Sequence, residues 1–201
     1  ALNSGANCYM ADFEDSLTPT FDNLMQGQLN IKDAISKKID FIDQESGKEY
    51  KLNEKTAVLI IRPRGLHLDE KNVTINEKRI SGTFFDLGLS LFHNAKKLIE
   101  NGSGPYFYLP KLEHYLECRL LNDVISFSEK KLNLEIGTVK VTVLIETINA
   151  VFQMNEFLWE LKDHIVGLNA GRWDYLFSYQ KVYRNTKKVI FPDRSKVTMF
   201  V

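Results

Sequence analysis

Cysteine is scarce: the 201 residues hold two, Cys8 and Cys118, far apart. Neither has a His or Cys near it at finger spacing, and His67, His93, His114 and His164 form no HxH or HxxxH pair. A disulfide framework and a zinc site are therefore not expected, and both thiols are read as reduced and partly buried, in a cytosol-like compartment. Net charge is also lacking, because 26 Lys and Arg balance 26 Asp and Glu. A nucleic-acid partner, which requires a cationic face against phosphates, is not expected. No apolar run approaches the roughly 20 residues that span a bilayer, so no membrane role is expected. The first residues, Ala1-Leu2-Asn3, show no basic and then apolar leader pattern, and no signal peptide is expected. No Gly-Lys-Ser/Thr marks a phosphate loop, and no Ser or Cys has a His partner at a recognisable spacing.

What is present is a recurring alternation. Five short, β-rich apolar runs each end in polar or charged residues, and segments of helical period follow them. The runs are Ala6 to Asp15, Ala57 to Gly65, Pro105 to Glu113, Val139 to Thr147 and His164 to Asp174. Near-continuous apolar strands indicate a sheet covered on both faces. Apolar residues at three- and four-residue steps predict helices over 84–100, 115–131 and 150–161, and less strongly over 21–35. Residues 37–55 read as polar surface loop, 72–80 as a short extra hairpin, and Asp15 or Ser16 as a helix N-cap. The last residues, Val197-Thr198-Met199-Phe200-Val201, read as a strand stopped in mid-run, so the chain is expected to be part of a larger polypeptide. Strand and helix in alternation mean α/β, either a doubly wound sheet or a barrel.

Each run ends in residues suited to chemistry: Asp12 and Glu14, Arg62, Lys111 and Glu113, Glu146, and the segment Asn169 to Asp174. Glu146 and Asp174 would lie side by side if their strands are neighbours, and two bare carboxylates in contact force one to protonate unless a cation lies between them. Mg²⁺ is the natural choice, since it takes one or two carboxylates and keeps waters. Asp12, Glu14 and Asp15 are placed to hold those waters, and Arg62 to face a substrate oxygen that becomes negative. Against this, any one strand-end carboxylate more often caps a helix or pairs with a lysine. Gly167 and Gly171 permit close backbone approach, either to bind a carboxylate or to make a tight turn. Trp159 and Trp173 read as core, Arg172 as a surface pair, His67 as solvated, His164 as packed in the core, and Arg64 as structural or anion-binding.

At these residues the sequence resembles the malate synthase family, in particular its shorter A-type form. The segment Lys162-Asp-His-Ile-Val-Gly-Leu-Asn-Ala-Gly-Arg-Trp-Asp-Tyr-Leu-Phe177 is similar to that family's signature. Further matches are Met10-Ala-Asp-Phe-Glu-Asp-Ser16, Arg62-Pro-Arg-Gly65, Gly104 to Glu113 and Leu144-Ile-Glu-Thr-Ile148. The resemblance implies an incomplete TIM (β/α)8 barrel fragment of about five parallel strands, in which residues 1–201 form part of a catalytic domain. An N-terminal portion, the last strands and a C-terminal domain would lie outside it. It implies Mg²⁺-dependent condensation of acetyl-CoA with glyoxylate and water to give malate and CoA. Glu146 and Asp174 match the metal ligands, and Arg62 the arginine at the glyoxylate and enolate oxygens. Asp12 and Glu14 match acids near the metal waters, and the amides around Gly171, Trp173 and Asp174 the cradle of the glyoxylate carboxylate. The family's general base is an aspartate on the C-terminal domain, and nothing after Asp174 resembles that segment, so the fragment alone is expected to be inactive. A cytosolic location is expected, with a peroxisome or glyoxysome in a eukaryote, and no oligomeric state follows. Rival readings are a Mg²⁺-dependent lyase of the citrate-lyase β-like group and a non-catalytic binding module derived from a barrel.

Overall fold

A computed structural model describes residues 1–197. The first half of the chain contains β1 (Cys8–Asp12), α1 (Phe21–Ile35), β2 (Asp40–Ile42), β3 (Glu49–Lys51), β4 (Val58–Arg62), β5 (Asp69–Ile75), β6 (Lys78–Ser81) and α2 (Gly82–Glu100). The second half contains β7 (Tyr106–Leu109), α3 (Tyr115–Leu132), β8 (Lys140–Ile145), α4 (Ile148–Val151), α5 (Met154–Glu160), β9 (Ile165–Ala170) and α6 (Arg172–Tyr183). Five strands form one parallel sheet in the order β1-β4-β7-β8-β9. The order never reverses, as it would at the switch point of a doubly wound sheet. The fold is thus an arc of a TIM barrel, its strands read in sequence and its helices on the outside.

The core lies between the arc and its helices. Leu87, Leu91, Ala95 and Leu98 of α2 and Leu121 and Ile125 of α3 pack with Ile61, Phe107, Leu109, Val141 and Val143 of the strands. Burying Leu91 contributes about 1.5–3 kcal/mol, and truncating it to alanine would cost about 2–5 kcal/mol with its cavity. On α1, Leu24, Gln28, Ile31 and Ile35 share one buried face. Gln28 ties that face to α2 by donating to the Asp86 carbonyl and accepting from the Ser90 hydroxyl.

Several sequence readings need correction. The N-cap of α1 is Thr20, whose hydroxyl accepts from the Asn23 amide. Neither Asp15 nor Ser16 caps it, because the helix starts at Phe21, well beyond them. The 150–161 helix is two helices broken at Phe152 and Gln153, and Phe152 is 80% exposed. Residues 37–55, read as polar and including a surface loop, also contain the antiparallel hairpin β2–β3, whereas the hairpin read at 72–80 is present as β5–β6 and needs no correction. Cys8 is exposed, while Cys118 is buried. Trp159 and Trp173 are exposed at 69% and 45% and are not core residues. Arg172 stacks its guanidinium over the Trp173 ring. The strand read at 197–201 lies outside the described residues, apart from Val197, which is in no regular element.

Candidate active site

The register of the arc sets the site. Asp12 and Arg62 are direct partners across β1 and β4, and Ile145 pairs with Ala170 across β8 and β9. The residues that follow these pairs therefore gather at the C-terminal end of the sheet. A cleft of about 490 Å³ opens there, lined by His67, Lys111, Glu113, Glu146, Asp174 and Lys181, among others.

Glu146 sits one residue beyond β8 and is 1% exposed. Its Oε1 accepts the Lys111 backbone amide at 2.6 Å, while Oε2 has no hydrogen-bond partner among the described residues. Burial pushes its carboxyl up to about 7, aided by the neighbouring Asp174 carboxyl. Asp174 lies in the first turn of α6, where the helix dipole favours a negative charge. Burial raises its carboxyl, but its hydrogen bond with Glu146 and the Lys111 ammonium outweigh that and hold it below the usual range.

Lys111 occupies the centre. Its Nζ lies 2.8 Å from Glu14 Oε1, 3.1 Å from Asp174 Oδ2, 3.6 Å from Glu146 Oε2 and 3.9 Å from Asp15 Oδ1. Despite these ion pairs, no contact of Nζ among the described residues has hydrogen-bond geometry. Burial disfavours its charge, but the surrounding carboxylates raise it above the usual lysine value. Lys111 reaches this place from a left-handed backbone, φ 59°, a conformation uncommon outside glycine.

Arg62 faces the cluster from β4. Asp12 grips it at two points, Oδ1 to Nε at 2.7 Å and Oδ2 to Nη2 at 2.6 Å. This hydrogen bonding raises the Arg62 value and, against the effect of burial, depresses that of Asp12. Both Asp12 oxygens are committed to the guanidinium and to the loop that follows. Glu14 keeps an oxygen, Oε2, with no hydrogen-bond partner, 3.6 Å from Arg62 Nη1. Burial raises the Glu14 carboxyl.

Gly171 serves by its size. A Cβ there would lie 2.7 Å from Glu146 Cβ and 3.1 Å from Leu144 Cδ1. Its own amide donates to the Ile145 carbonyl at 2.9 Å, so it is not available to a ligand. Trp173 and Asp174 follow in the first turn of α6. His67 is exposed and lines the cleft, and His164 is fully buried at the opposite end of β9. Arg64 is structural, locked between Asp86 and Glu70.

The sequence named Lys111 as a strand-end group but gave it no part in the chemistry. Tyr108 was missed altogether. It lies in β7 with its hydroxyl bonded to the Asn169 amide, and its one sequence signal was the alternation of an interior-facing strand.

The donor set suits a hard divalent ion. Among the described residues no cluster of three or more His, Cys, Asp and Glu is placed to ligate a metal. A pair of carboxylates with an unpartnered buried oxygen is what Mg²⁺ needs, since it retains waters. Among the described residues, the cations paired with the five carboxylates Asp12, Glu14, Asp15, Glu146 and Asp174 are Arg62 and Lys111.

Sequentially ordered parallel strands with charged groups converging at their C-terminal ends define the class: the barrel of a TIM-barrel enzyme. The chain belongs to the malate synthase family, whose TIM barrel domain model matches residues 58–201. It is 53% identical over 199 residues to the malate synthase of Myxococcus xanthus (strain DK1622), covering 99% of this chain and 37% of that protein. It is 50% identical over 202 residues to the glyoxysomal malate synthase of Brassica napus, covering 99% of this chain and 36% of that one. The chain thus spans about a third of the length of these curated relatives. Among solved structures, the magnesium/glyoxylate complex of Haloferax volcanii malate synthase matches with a TM-score of 0.59, over 86% of this chain and 44% of that one. At 16% identity, that likeness speaks for the fold. No helix among the described residues is long and apolar enough to cross a membrane.

Proposed function

We propose that the chain is the part of a malate synthase that holds the metal and glyoxylate, in an enzyme that condenses acetyl-CoA with glyoxylate and water to give malate and CoA. The carrying observation is the pairing of Glu146 with Asp174 beside an unpartnered buried oxygen, with Arg62 in the same ion-pair network. Glu146 and Asp174 would hold Mg²⁺. When bound, the ion supplies Lewis-acid polarisation of the glyoxylate carbonyl.

The remaining work falls to the chain's own side chains. Arg62, fixed by Asp12, presents a permanent positive charge to the enolate oxygen of acetyl-CoA. Because the donor is already oriented, little reorganisation is needed as charge develops. Gly171 lets the backbone pass close to Glu146. The start of α6, at Trp173 and Asp174, turns its positive end toward a carboxylate. Glu14 keeps an acceptor for a water beside the cluster.

Residues 1–201 are read as part of the catalytic barrel, with the general base supplied from outside them. The proposed location is the cytosol, with a glyoxysome as the second reading, favoured by the name of the Brassica napus relative.

The test is an assay of the longer enzyme that contains residues 1–201, with acetyl-CoA, glyoxylate and Mg²⁺, following free CoA and malate. Malate formation that Glu146→Gln abolishes is the expected result. Full activity in Glu146→Gln or Arg62→Ala overturns the assignment.

A further inference from the structure

We propose that Lys111 is the internal counter-ion of the carboxylate cluster, and that a divalent ion binds by displacing its ammonium from Glu146 and Asp174. The proposal rests on the metal reading above and assigns that reading's missing step, the exit of the cation already there.

The geometry makes the two cations exclusive. Lys111 Nζ lies 3.1 Å from Asp174 Oδ2 and 3.6 Å from Glu146 Oε2, the oxygens of the two residues that would ligate. Mg²⁺ needs its oxygens at about 2.0–2.1 Å, and an ammonium held against the same oxygens would meet it in direct repulsion. The ammonium is also a poor fit where it stands, because none of its contacts has hydrogen-bond geometry and Glu146 Oε2 and Glu14 Oε2 stay unpartnered. A second positive charge in its place would satisfy an acidic cluster that one ammonium leaves in excess.

The chain can release the ammonium without moving the strand end. Lys111 is fastened by its backbone, through the hydrogen bond that its amide donates to Glu146 Oε1 and the rigid Pro110 before it. Only the four-carbon stem need swing, and it is 21% exposed on the cleft side. Glu113 and Glu117 line the same cleft and offer carboxylates outside the ligand set. Glu14, the closest partner at 2.8 Å, is free to keep the ammonium or to turn to a bound water. Lys111 thus keeps the buried acids from repelling one another until an ion arrives. It sets a threshold that the ion must exceed.

Two measurements on the full chain test this. The first is Mn²⁺ affinity by calorimetry for the wild type, Lys111→Met and Glu146→Gln. Lys111→Met is expected to bind at least tenfold more tightly than the wild type, and Glu146→Gln to lose binding. The second uses only the wild type, in case Lys111→Met fails to fold. Labelling with an amine-reactive acylating reagent, read residue by residue by mass spectrometry, is expected to be faster at Lys111 with saturating Mg²⁺ than without it, and unchanged at Lys181. Equal or weaker Mn²⁺ affinity in folded Lys111→Met, or unchanged or slower Lys111 labelling with Mg²⁺, overturns the proposal and leaves the metal reading standing. Absence of ion binding in every protein overturns both.

Discussion

Arg62 and Asp12 are register partners on adjacent parallel strands, and they hold each other by two parallel hydrogen bonds of 2.7 and 2.6 Å. The carboxylate fixes the guanidinium plane, which leaves Nη1 to face Glu14. A lysine could supply the charge but not the fork. Arg62→Lys is therefore expected to lower kcat/KM of the full chain at least about a hundredfold, the scale of losing one oriented electrostatic donor. Asp12→Asn, which keeps Arg62 but slackens its anchor, should cost about tenfold to a hundredfold, in line with a small misplacement of a reacting group. Steady-state kinetics with glyoxylate varied would read both.

Gly171→Ala should injure stability and activity together. The added methyl would meet Glu146 Cβ at 2.7 Å and Leu144 Cδ1 at 3.1 Å, so β8 and β9 must part or Glu146 must move. Overpacking of this kind costs about 1–3 kcal/mol. Urea unfolding and turnover measured on the same sample would check it, and a variant that is less stable but fully active would contradict the placement of Glu146.

The Arg64 clamp should dominate stability near the site. Arg64 is buried between Asp86, at 2.9 Å through two nitrogens, and Glu70, also at 2.9 Å. Asp86→Ala leaves the buried guanidinium with Glu70 as its one carboxylate partner among the described residues and is expected to cost about 3–5 kcal/mol. The Glu70 carboxyl carries a pH signature. Burial would raise it, but the Asn72 amide and Arg64 hold it below its ordinary value. A depressed carboxyl confers stability that is full above its unfolded value, about 4.3, and is lost as the pH falls through its folded value. Glu70→Gln should therefore flatten the acid limb of a melting-temperature profile and lower stability at neutral pH.

The two thiols should part company. Burial pushes Cys118 up to about 12, whereas Cys8 is exposed. At pH 8 a thiol-reactive disulfide reagent should titrate one group in the native protein and two after denaturation, with Cys8 identified as the fast one by peptide mapping. Because the raised thiol favours the folded state only while it is protonated, the stability it confers holds below its unfolded value and is lost as the pH rises toward about 12.

Residues 1–201 expressed alone should form no malate from acetyl-CoA and glyoxylate, if the base comes from elsewhere in the enzyme. Among the described residues, strands β1 and β9 each have one unpaired edge in the sheet, and open edges invite association. Size-exclusion chromatography should show self-association or poor solubility. Turnover, or a monodisperse monomer that melts cooperatively, would count against this reading.

The strands were legible because their runs are apolar on both faces, as the consecutive residues Val143, Leu144 and Ile145 show by all being buried in β8. The site residues were legible because each stands at the end of such a run. What sequence could not supply was which surfaces find partners. Phe152, Trp159 and Trp173 look like core by composition yet are exposed, since apolar spacing reveals a stripe but not its neighbour. The cap at Thr20 was hidden because Asp15, Ser16, Thr18 and Thr20 all carry capping side chains, and only the helix start at Phe21 selects among them. Lys111 was seen, but its central position depends on a left-handed turn at a residue other than glycine, which no local pattern announces.

Glu129 accepts the amides of Gly137 and Val139 and faces His164, which in turn meets Asn122. This knot binds α3, β8 and β9 at the end of the sheet remote from the cleft. It acts as a keystone in the quiet half of the barrel: a change there would be felt as lost yield or lower melting temperature, with catalytic constants intact in whatever folds. Evolution and engineering can therefore retune the rim while the base, anchored by a single carboxylate, is left untouched.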